Sequence, residues 1–444
     1  MKNQKQMNGL VRAAKILLFG GVLAVMSFIG LLWFLRPETS TLEKRNLTEF
    51  PSITWNSFWD GSFFSQVDTW YADTYPLREG LIGANQTLQT AYGIRGDQIV
   101  GETVVADEIP DAADPTVAKP STTPVAPATP APSAAVEENE NGTVSDLGAM
   151  AGTIYITNKS GYGLYYFSQS GADSYAATMN DIYSRVGDKV NMYVMVCPIS
   201  AGVMLDDKVL DDMGCSDEKA AIDYVYSQLD PGIHAVQVFD NLRNHNSEYI
   251  YFHTDHHWTQ LGAYYAYEVF CQEKGITPHK LEQFEKKEFP NFLGTFYSSS
   301  NQSPELAANP DTVEAYVPMG TNDMVMHMAD GSVWDWNVIY DVSAYDRTAL
   351  YAAFVGGDRP LSYTHNESIT DGSAVMVIKD SYGNAFIPWL VDHYEYVYWV
   401  DYRYTYNTIS QMVEDYGIQD VIYQCHIYNA TSDSVLGDFA RIGQ

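Results

Sequence analysis

Two short segments, far apart in the chain, hold the residue types with the most chemistry. The first is His253-Thr254-Asp255-His256-His257-Trp258-Thr259. Asp255 and His257 are two residues apart, so both side chains can share one side of a loop. A carboxylate there would orient the imidazole or stabilise its charged form. The second segment is Val377-Ile378-Lys379-Asp380-Ser381-Tyr382-Gly383-Asn384-Ala385-Phe386. An apolar strand runs into Asp380-Ser381, and a helix is expected from about Asn384. The Ser381 hydroxyl then sits at the strand's C-terminal end. Its own amide and those that follow would point, from a helix N-terminus, at a developing oxyanion. Gly383 permits close backbone approach and Asn384 offers a side-chain donor. Serine alone is a weak nucleophile and needs a base. His257 supplies one if the fold brings the segments together. Asp255, His257 and Ser381 are therefore the candidate catalytic residues. Gly383, Asn384, Arg403, Trp258 and Tyr382 are candidates for oxyanion or substrate contact.

Other readings compete. An Asp-x-His loop alone is usually surface or capping chemistry, and a serine between strand and helix is usually a cap. Arg403, in Asp401-Tyr402-Arg403-Tyr404, serves equally well as a salt-bridging arginine. His253, Asp255, His256 and His257 are also dense enough to suggest a metal site. The Asp255-His256-His257 string resembles one in a metal-dependent phosphoesterase superfamily, but that resemblance implies further Asp motifs after strands that are not evident here, and a metal-dependent hydrolase would leave Ser381 unexplained. No metal or cofactor is expected.

The elements that position these segments follow from periodicity. Strands are expected at Asn191–Val196, Ala235–Phe239, Tyr249–Phe252, Ala374–Ile378, Glu395–Val400 and Val421–Cys425. Helices are expected at Asp217–Leu229, at Thr259–Cys271 with Thr259 as N-cap, and around Ile409–Tyr416. This alternation implies an α/β fold, a parallel sheet covered by helices on both faces. Both motifs would then lie at strand C-termini, where such sheets place their sites. The Tyr-, Asn-, Ser- and Gly-rich stretch from about 278 to 372 breaks the alternation. It reads as an irregular or β-rich insertion beside the sheet.

Before this body the chain changes character. Lys2, Lys5, Arg12 and Lys15 precede an uncharged run from Ile16 to Leu35, closed by Arg36-Pro37. About 20 apolar residues suffice to cross roughly 30 Å of hydrocarbon as a helix. The flanking charge predicts a cytoplasmic N-terminus and an extracytoplasmic remainder. Bulky Leu31-Leu32-Trp33-Phe34-Leu35 favours an uncleaved anchor over a signal peptide. Residues 1–36 are thus read as a cytoplasmic tip and transmembrane anchor. Residues 37–105, rich in aromatics, read as an ordered leading segment packed on the main domain, with a helix from Ser65 to about Ala72. Residues 106–148 are Pro, Ala, Thr, Val and acids, and read as a disordered linker. Residues 149–444 form the α/β domain. Asp and Glu number 56 against 25 Lys and Arg, a formal charge of -31. So acidic a chain repels phosphate backbones, which argues against nucleic acid as a partner. The four cysteines show no zinc or redox spacing, and Cys197 and Cys271 read as buried hydrophobes.

Thr254-Asp255-His256-His257-Trp258-Thr259 resembles the signature of the bacterial DHHW protein family. That family is similar to the SGNH-hydrolase-like domain of the alginate O-acetylation proteins, which pair an Asp-x-His-Trp-Thr element with a later serine. Glu43-Lys44-Arg45-Asn46-Leu47 with Phe50-Pro51 also looks family-like. So do Asp60-Gly61-Ser62-Phe63-Phe64, Asp73, Pro76-Leu77-Arg78, and Phe292-Leu293-Gly294-Thr295-Phe296-Tyr297. The resemblance implies a three-layer SGNH-hydrolase-like fold in which Asp255 orients, His257 is the base and Ser381 the nucleophile. His256 falls in the variable position and is expected to be structural. The nucleophile block departs from the usual Gly-Asp-Ser, reading Lys379-Asp380-Ser381, and no separate oxyanion Asn block is evident. The implied activity is that of an O-acetyltransferase or acetylesterase acting on a cell-envelope or secreted polysaccharide. An acyl donor and an acyl-transfer membrane partner would go with it. The alternative is a non-catalytic carbohydrate-binding or assembly protein of the same fold.

Overall fold

The computed structural model describes residues 153–443 except 406, together with 21, 36–37, 39–40, 45–53, 55–59, 62–76, 78, 80, 98–101 and 106–110. The expected anchor over 16–35, residue 21 apart, and residues 111–148 of the expected linker lie outside these. No helix among the described residues is long and apolar enough to cross a membrane. The chain divides into two compact units, Met1–Arg95 and Gly96–Gln444.

In the first unit the helix expected near Ser65 spans Ser62–Asp73 and follows a shorter one at Trp55–Trp59. Trp70 is buried here. The Arg36 guanidinium stacks 4.0 Å from the Trp70 ring centroid and donates to Thr74 Oγ1 at 2.7 Å. This arrangement is a cation–π contact with a polar tether.

The second unit is built on an eight-stranded sheet. Its strands are β1 (Asn191–Cys197), β2 (His234–Ala235), β3 (Asp323–His327), β4 (Val333–Asn337), β5 (Leu361–His365), β6 (Ala374–Lys379), β7 (Tyr396–Asp401) and β8 (Asp420–His426). Their spatial order is β4-β3-β5-β7-β6-β8-β1-β2. From β7 to β2 every pairing is parallel. β6 is buried at every position. Its apolar run from Ala374 to Ile378 is what a parallel strand covered on both faces requires.

Helices α1 (Gln169–Val186), α2 (Glu218–Ser227), α3 (Gln260–Lys274), α4 (Ile409–Tyr416) and α5 (Asp433–Ile442) cover the sheet. Tyr423 of β8 packs on Phe439 of α5, and Cys425 reaches Tyr175 of α1. Tyr193 of β1, level with Ile422, packs on Phe270 of α3 instead. Alternate side chains of a strand point to opposite faces, so α1 and α5 lie on one side and α3 on the other. Thr259 caps α3 as expected, its hydroxyl accepting from the Gly262 amide, and Gly275 ends it at φ 78°. That left-handed cap suits glycine. All four cysteines are free thiols, with Cys197, Cys271 and Cys425 buried.

The structure departs from the sequence expectation in three places. The insertion does not stand wholly beside the sheet: β3, β4 and β5 extend it by antiparallel pairing on β7. This pairing satisfies the backbone of β7, which would otherwise be an exposed edge. Another antiparallel ribbon, Glu285–Phe292 with Asp311–Val317, stays separate. Ala235–Phe239 yields only the two-residue β2, because Phe239 opens a helical turn, Phe239–Asn244. Tyr249–Phe252 joins no sheet; Tyr251 makes one antiparallel bridge to Trp258. Residues 106–110 adjoin the body, with the Asp107 amide donating to the Phe167 carbonyl and Asp107 Oδ2 accepting from the Gln169 amide, each at 3.0 Å.

Phe439 is fully buried, with ring centroids of Tyr402, Tyr175 and Tyr423 at 4.4, 5.8 and 6.0 Å. Phe439→Ala should lower stability by about 3–5 kcal/mol, read as a shift in the urea midpoint at unchanged slope.

Candidate active site

The two chemistry-bearing segments meet at the C-terminal edge of the parallel strands. Ser381 Oγ lies 2.8 Å from His257 Nε2, and His257 Nδ1 lies 2.5 Å from Asp255 Oδ1. An ionised Asp255 accepts at Nδ1–H, which leaves Nε2 as the acceptor for the serine proton. The other Asp255 oxygen accepts the Thr295 amide at 2.7 Å and the Thr295 hydroxyl at 3.1 Å. Burial works against charge on Asp255. His257 and these hydrogen bonds outweigh it and hold the carboxyl below the usual carboxylate range. A Cβ on Gly294 would come within 2.1 Å of Asp255 Oδ2, so only glycine fits there. Ser381 is 6% and His257 5% exposed, so the dyad is nearly enclosed.

The histidine loop is not a strand end. It is a tight reversal, with the Phe252 amide donating to the His257 carbonyl and the Thr259 amide to the Ile250 carbonyl. Asp311, buried at the start of the ribbon's second strand, fixes it. Its Oδ1 accepts from the Tyr249 hydroxyl at 2.6 Å and the His253 amide at 2.8 Å. Its Oδ2 accepts the Thr254 amide at 2.7 Å and hydroxyl at 2.6 Å. The serine turn is held in a similar way by Asp380. Asp380 Oδ1 accepts the Tyr382 amide at 3.0 Å. Its Oδ2 accepts the His426 amide and Asn429 Nδ2, each at 2.9 Å.

Two reciprocal bonds tie these loops together. Trp258 Nε1 donates to the Tyr382 carbonyl at 2.9 Å, and the Tyr382 hydroxyl donates to the His256 carbonyl. Both side chains are fully buried, so they join loop to loop and offer no face to a solution substrate.

The remaining candidates also face inward. Asn384 Nδ2 donates to Asp358 at 3.0 Å. Arg403 bonds Asp401 through Nε at 2.8 Å and Asp358 through Nη2 at 3.0 Å. Lys379 Nζ, wholly buried, lies 2.5 Å from Asp358 Oδ1. Burial disfavours the lysine's charge, but Asp358 and Asp401 more than restore it and its pKa rises. Gly383 lets the turn settle onto the sheet, since a Cβ would meet Lys379 Cβ at 2.5 Å and Gln424 Oε1 at 2.7 Å. The expected fan of amides aimed at an oxyanion is not formed. Tyr382 donates to the Asp380 side chain, Gly383 to the Asp380 carbonyl at 3.0 Å and Asn384 to the Ser381 carbonyl at 3.2 Å. The helix that follows spans only Gly383–Phe386. Asp380 caps its own turn and engages the first of those amides.

Among the described residues, Asp255, His256 and His257 form a cluster whose ligand atoms all lie within 4.8 Å of one another. A cation there would compete with bonds already made: His257 Nδ1 to Asp255, and His256 Nδ1 to Thr295 Oγ1 at 2.5 Å. His253 turns to Asp311, its Nδ1 3.0 Å from Oδ1.

Tyr351, whose hydroxyl donates to the Ser381 carbonyl at 2.9 Å, belongs to the site with Asp358, Thr295 and Asp311, and the sequence expectations included none of the four among the site residues. Thr295 alone had a signal, in the family-like Phe292–Tyr297 run. The others sit in the insertion with no local pattern to mark them.

Fold and site together define a helix-covered mixed α/β sheet bearing a hydrogen-bonded Ser-His-Asp chain on its edge. The profile described as DHHW protein matches residues 43–116 and 132–400, so the chain belongs to the DHHW family. A DHHW family protein from Eubacterium siraeum DSM 15702 is 26% identical, with a TM-score of 0.58 over 64% of this chain and 94% of that one. Bacillus cereus PatB1, solved with a sulfonyl adduct, is 18% identical, with a TM-score of 0.55 over 64% of this chain and 97% of that one. The O-acetyltransferase domain of Pseudomonas putida AlgJ is a more distant likeness, 10% identical with a TM-score of 0.35 over 64% of this chain and 96% of that one. Comparison with curated proteins by sequence found no match.

Asp311→Ala removes the shared acceptor of the histidine loop and should cost about 3 kcal/mol, measured by denaturant unfolding. His256 is held neutral by burial and by His257 beside it, its pKa well below normal. A depressed histidine pKa gives stability that is full above about pH 6.5 and is lost as pH falls from there toward the folded-state value. Unfolding midpoints should therefore drop between pH 7.5 and 5, and the drop should be smaller in His256→Gln.

Proposed function

We propose that this chain is a serine acyl-ester enzyme of the SGNH type, an O-acetyltransferase or acetylesterase acting on a cell-envelope or secreted polysaccharide. The observation that carries this reading is the unbroken chain from Ser381 Oγ through His257 to Asp255, at 2.8 and 2.5 Å. As the Ser381 oxygen bonds to the acyl carbon, its proton passes to His257 Nε2, and Asp255 stabilises the imidazolium. The oxyanion is assigned to the Ser381 amide. When the tetrahedral centre collapses, the ester C–O bond breaks and the leaving oxygen takes the proton from His257. His257 then deprotonates the acceptor, a sugar hydroxyl or water, whose attack releases Ser381.

The polysaccharide assignment is supported by the motif's resemblance to the alginate O-acetylation proteins. The positive flank before residues 16–35 supports a single-pass anchor in the cell membrane with the catalytic unit outside. A glycan, an acyl donor and a membrane-embedded acyl-transfer protein are the partners this reading requires.

Hydrolysis of an activated acetyl ester tests it. Ser381→Ala and His257→Ala should each reduce turnover by roughly three orders of magnitude or more, and Asp255→Asn comparably. Intact mass should show one acetyl or sulfonyl group on the wild type and none on Ser381→Ala. No turnover by the wild type, with glycan binding unchanged in Ser381→Ala, would instead mark a binding protein.

A further inference from the structure

The His257 imidazole is not held by Asp255 alone. The Tyr351 ring stacks on it with centroids 3.9 Å apart and planes 10° apart. The His256 ring lies 3.7 Å away, tilted by 36°. Two rings this close to one imidazole must take opposite faces, because on one face they would overlap. The Tyr351 hydroxyl reaches the other partner, donating to the Ser381 carbonyl at 2.9 Å. One side chain therefore touches both the base and the backbone of the nucleophile.

Tyr351 is itself firmly placed. It lies in the turn Leu350–Ala353, against Phe354 at 5.2 Å and Phe252 at 6.1 Å between centroids. Just beyond it, Val355 is fully buried with φ 49°. A β-branched residue in the left-handed region is strained, and such strain persists only where surrounding packing imposes it. The forced bend leads from Tyr351 to Asp358, which binds Lys379 and Asn384 on either side of Ser381.

We propose that Tyr351 is a positioning residue that couples base to nucleophile, its ring setting the plane of the His257 imidazole while its hydroxyl fixes the Ser381 carbonyl. This rests on the catalytic reading above. The stacked π face also favours the imidazolium that forms when Ser381 loses its proton, as rings do for cations over their faces. Because the residue comes from the insertion, alignment of the dyad depends on a segment outside the parallel core.

The test measures kcat and KM for an activated acetyl ester from pH 5 to 9, for wild type, Tyr351→Phe, Tyr351→Leu and Ser381→Ala. Tyr351→Phe keeps the ring, so it should lower kcat about tenfold with KM and the acidic limb unmoved. Tyr351→Leu loses the ring, so the acidic limb should move to lower pH by roughly half a unit, with a further fall in kcat. If Tyr351→Leu does not fold, Tyr351→Phe decides. Ser381→Ala inactive while the Tyr351 variants match the wild type within about twofold would overturn this proposal and leave the catalytic reading standing. Ser381→Ala as active as wild type would overturn both.

Discussion

The site depends on a crossed pair of buried hydrogen bonds between two loops remote in sequence. The indole of one loop binds the backbone of the other, and the phenol of the second binds the backbone of the first. Each large ring needs a partner for its single polar atom once it is buried. Here that need is met only when the loops adopt one mutual position. The same position leaves the serine hydroxyl within hydrogen-bond reach of the imidazole. Packing two aromatic rings and aligning two reactive groups are therefore one constraint.

Beneath the loops the molecule buries more charge than packing alone would favour. Lys379, Asp358, Asp401 and Arg403 form a compact ionic group, and Asp380 lies beside it, hydrogen-bonded to His426. Buried ion pairs often gain little net stability, but losing one member leaves an uncompensated charge. What this network supplies is direction. It binds the strand end at Lys379, the turn at Asp380 and the next turn at Asn384, so the serine between them has little freedom.

Much of this was legible in the sequence. The parallel strands β1, β6, β7 and β8 announce themselves as apolar β-prone runs, and Thr259 marks its helix as the cap. Ser381, His257 and Asp255 were legible because their types and spacing are unusual together. The expected roles of the neighbours transferred less well. Trp258 and Tyr382 are aromatic and lie next to the reactive residues, which suggests contact with substrate, yet burial makes them internal ties. Asn384 and Arg403 are donors near the edge, yet nearby carboxylates capture them. A sequence displays which groups can donate; it does not display which acceptor is nearer. Asp311, Tyr351 and Asp358 were invisible for a related reason. Each acts across a long sequence separation from a region with no regular period, and the antiparallel strand that carries Asp311 looked irregular.

The strands β3, β4 and β5, joined to the sheet at β7, change how the chain can be divided. A boundary drawn around the parallel core by topology would discard Thr295, Asp311, Tyr351 and Asp358 with the stretch between residues 278 and 372. The serine and histidine would remain on such a core, with their supports gone. The inserted stretch is thus part of what holds the serine and the histidine in place, and exchanging it between relatives would exchange those supports along with the surface it presents.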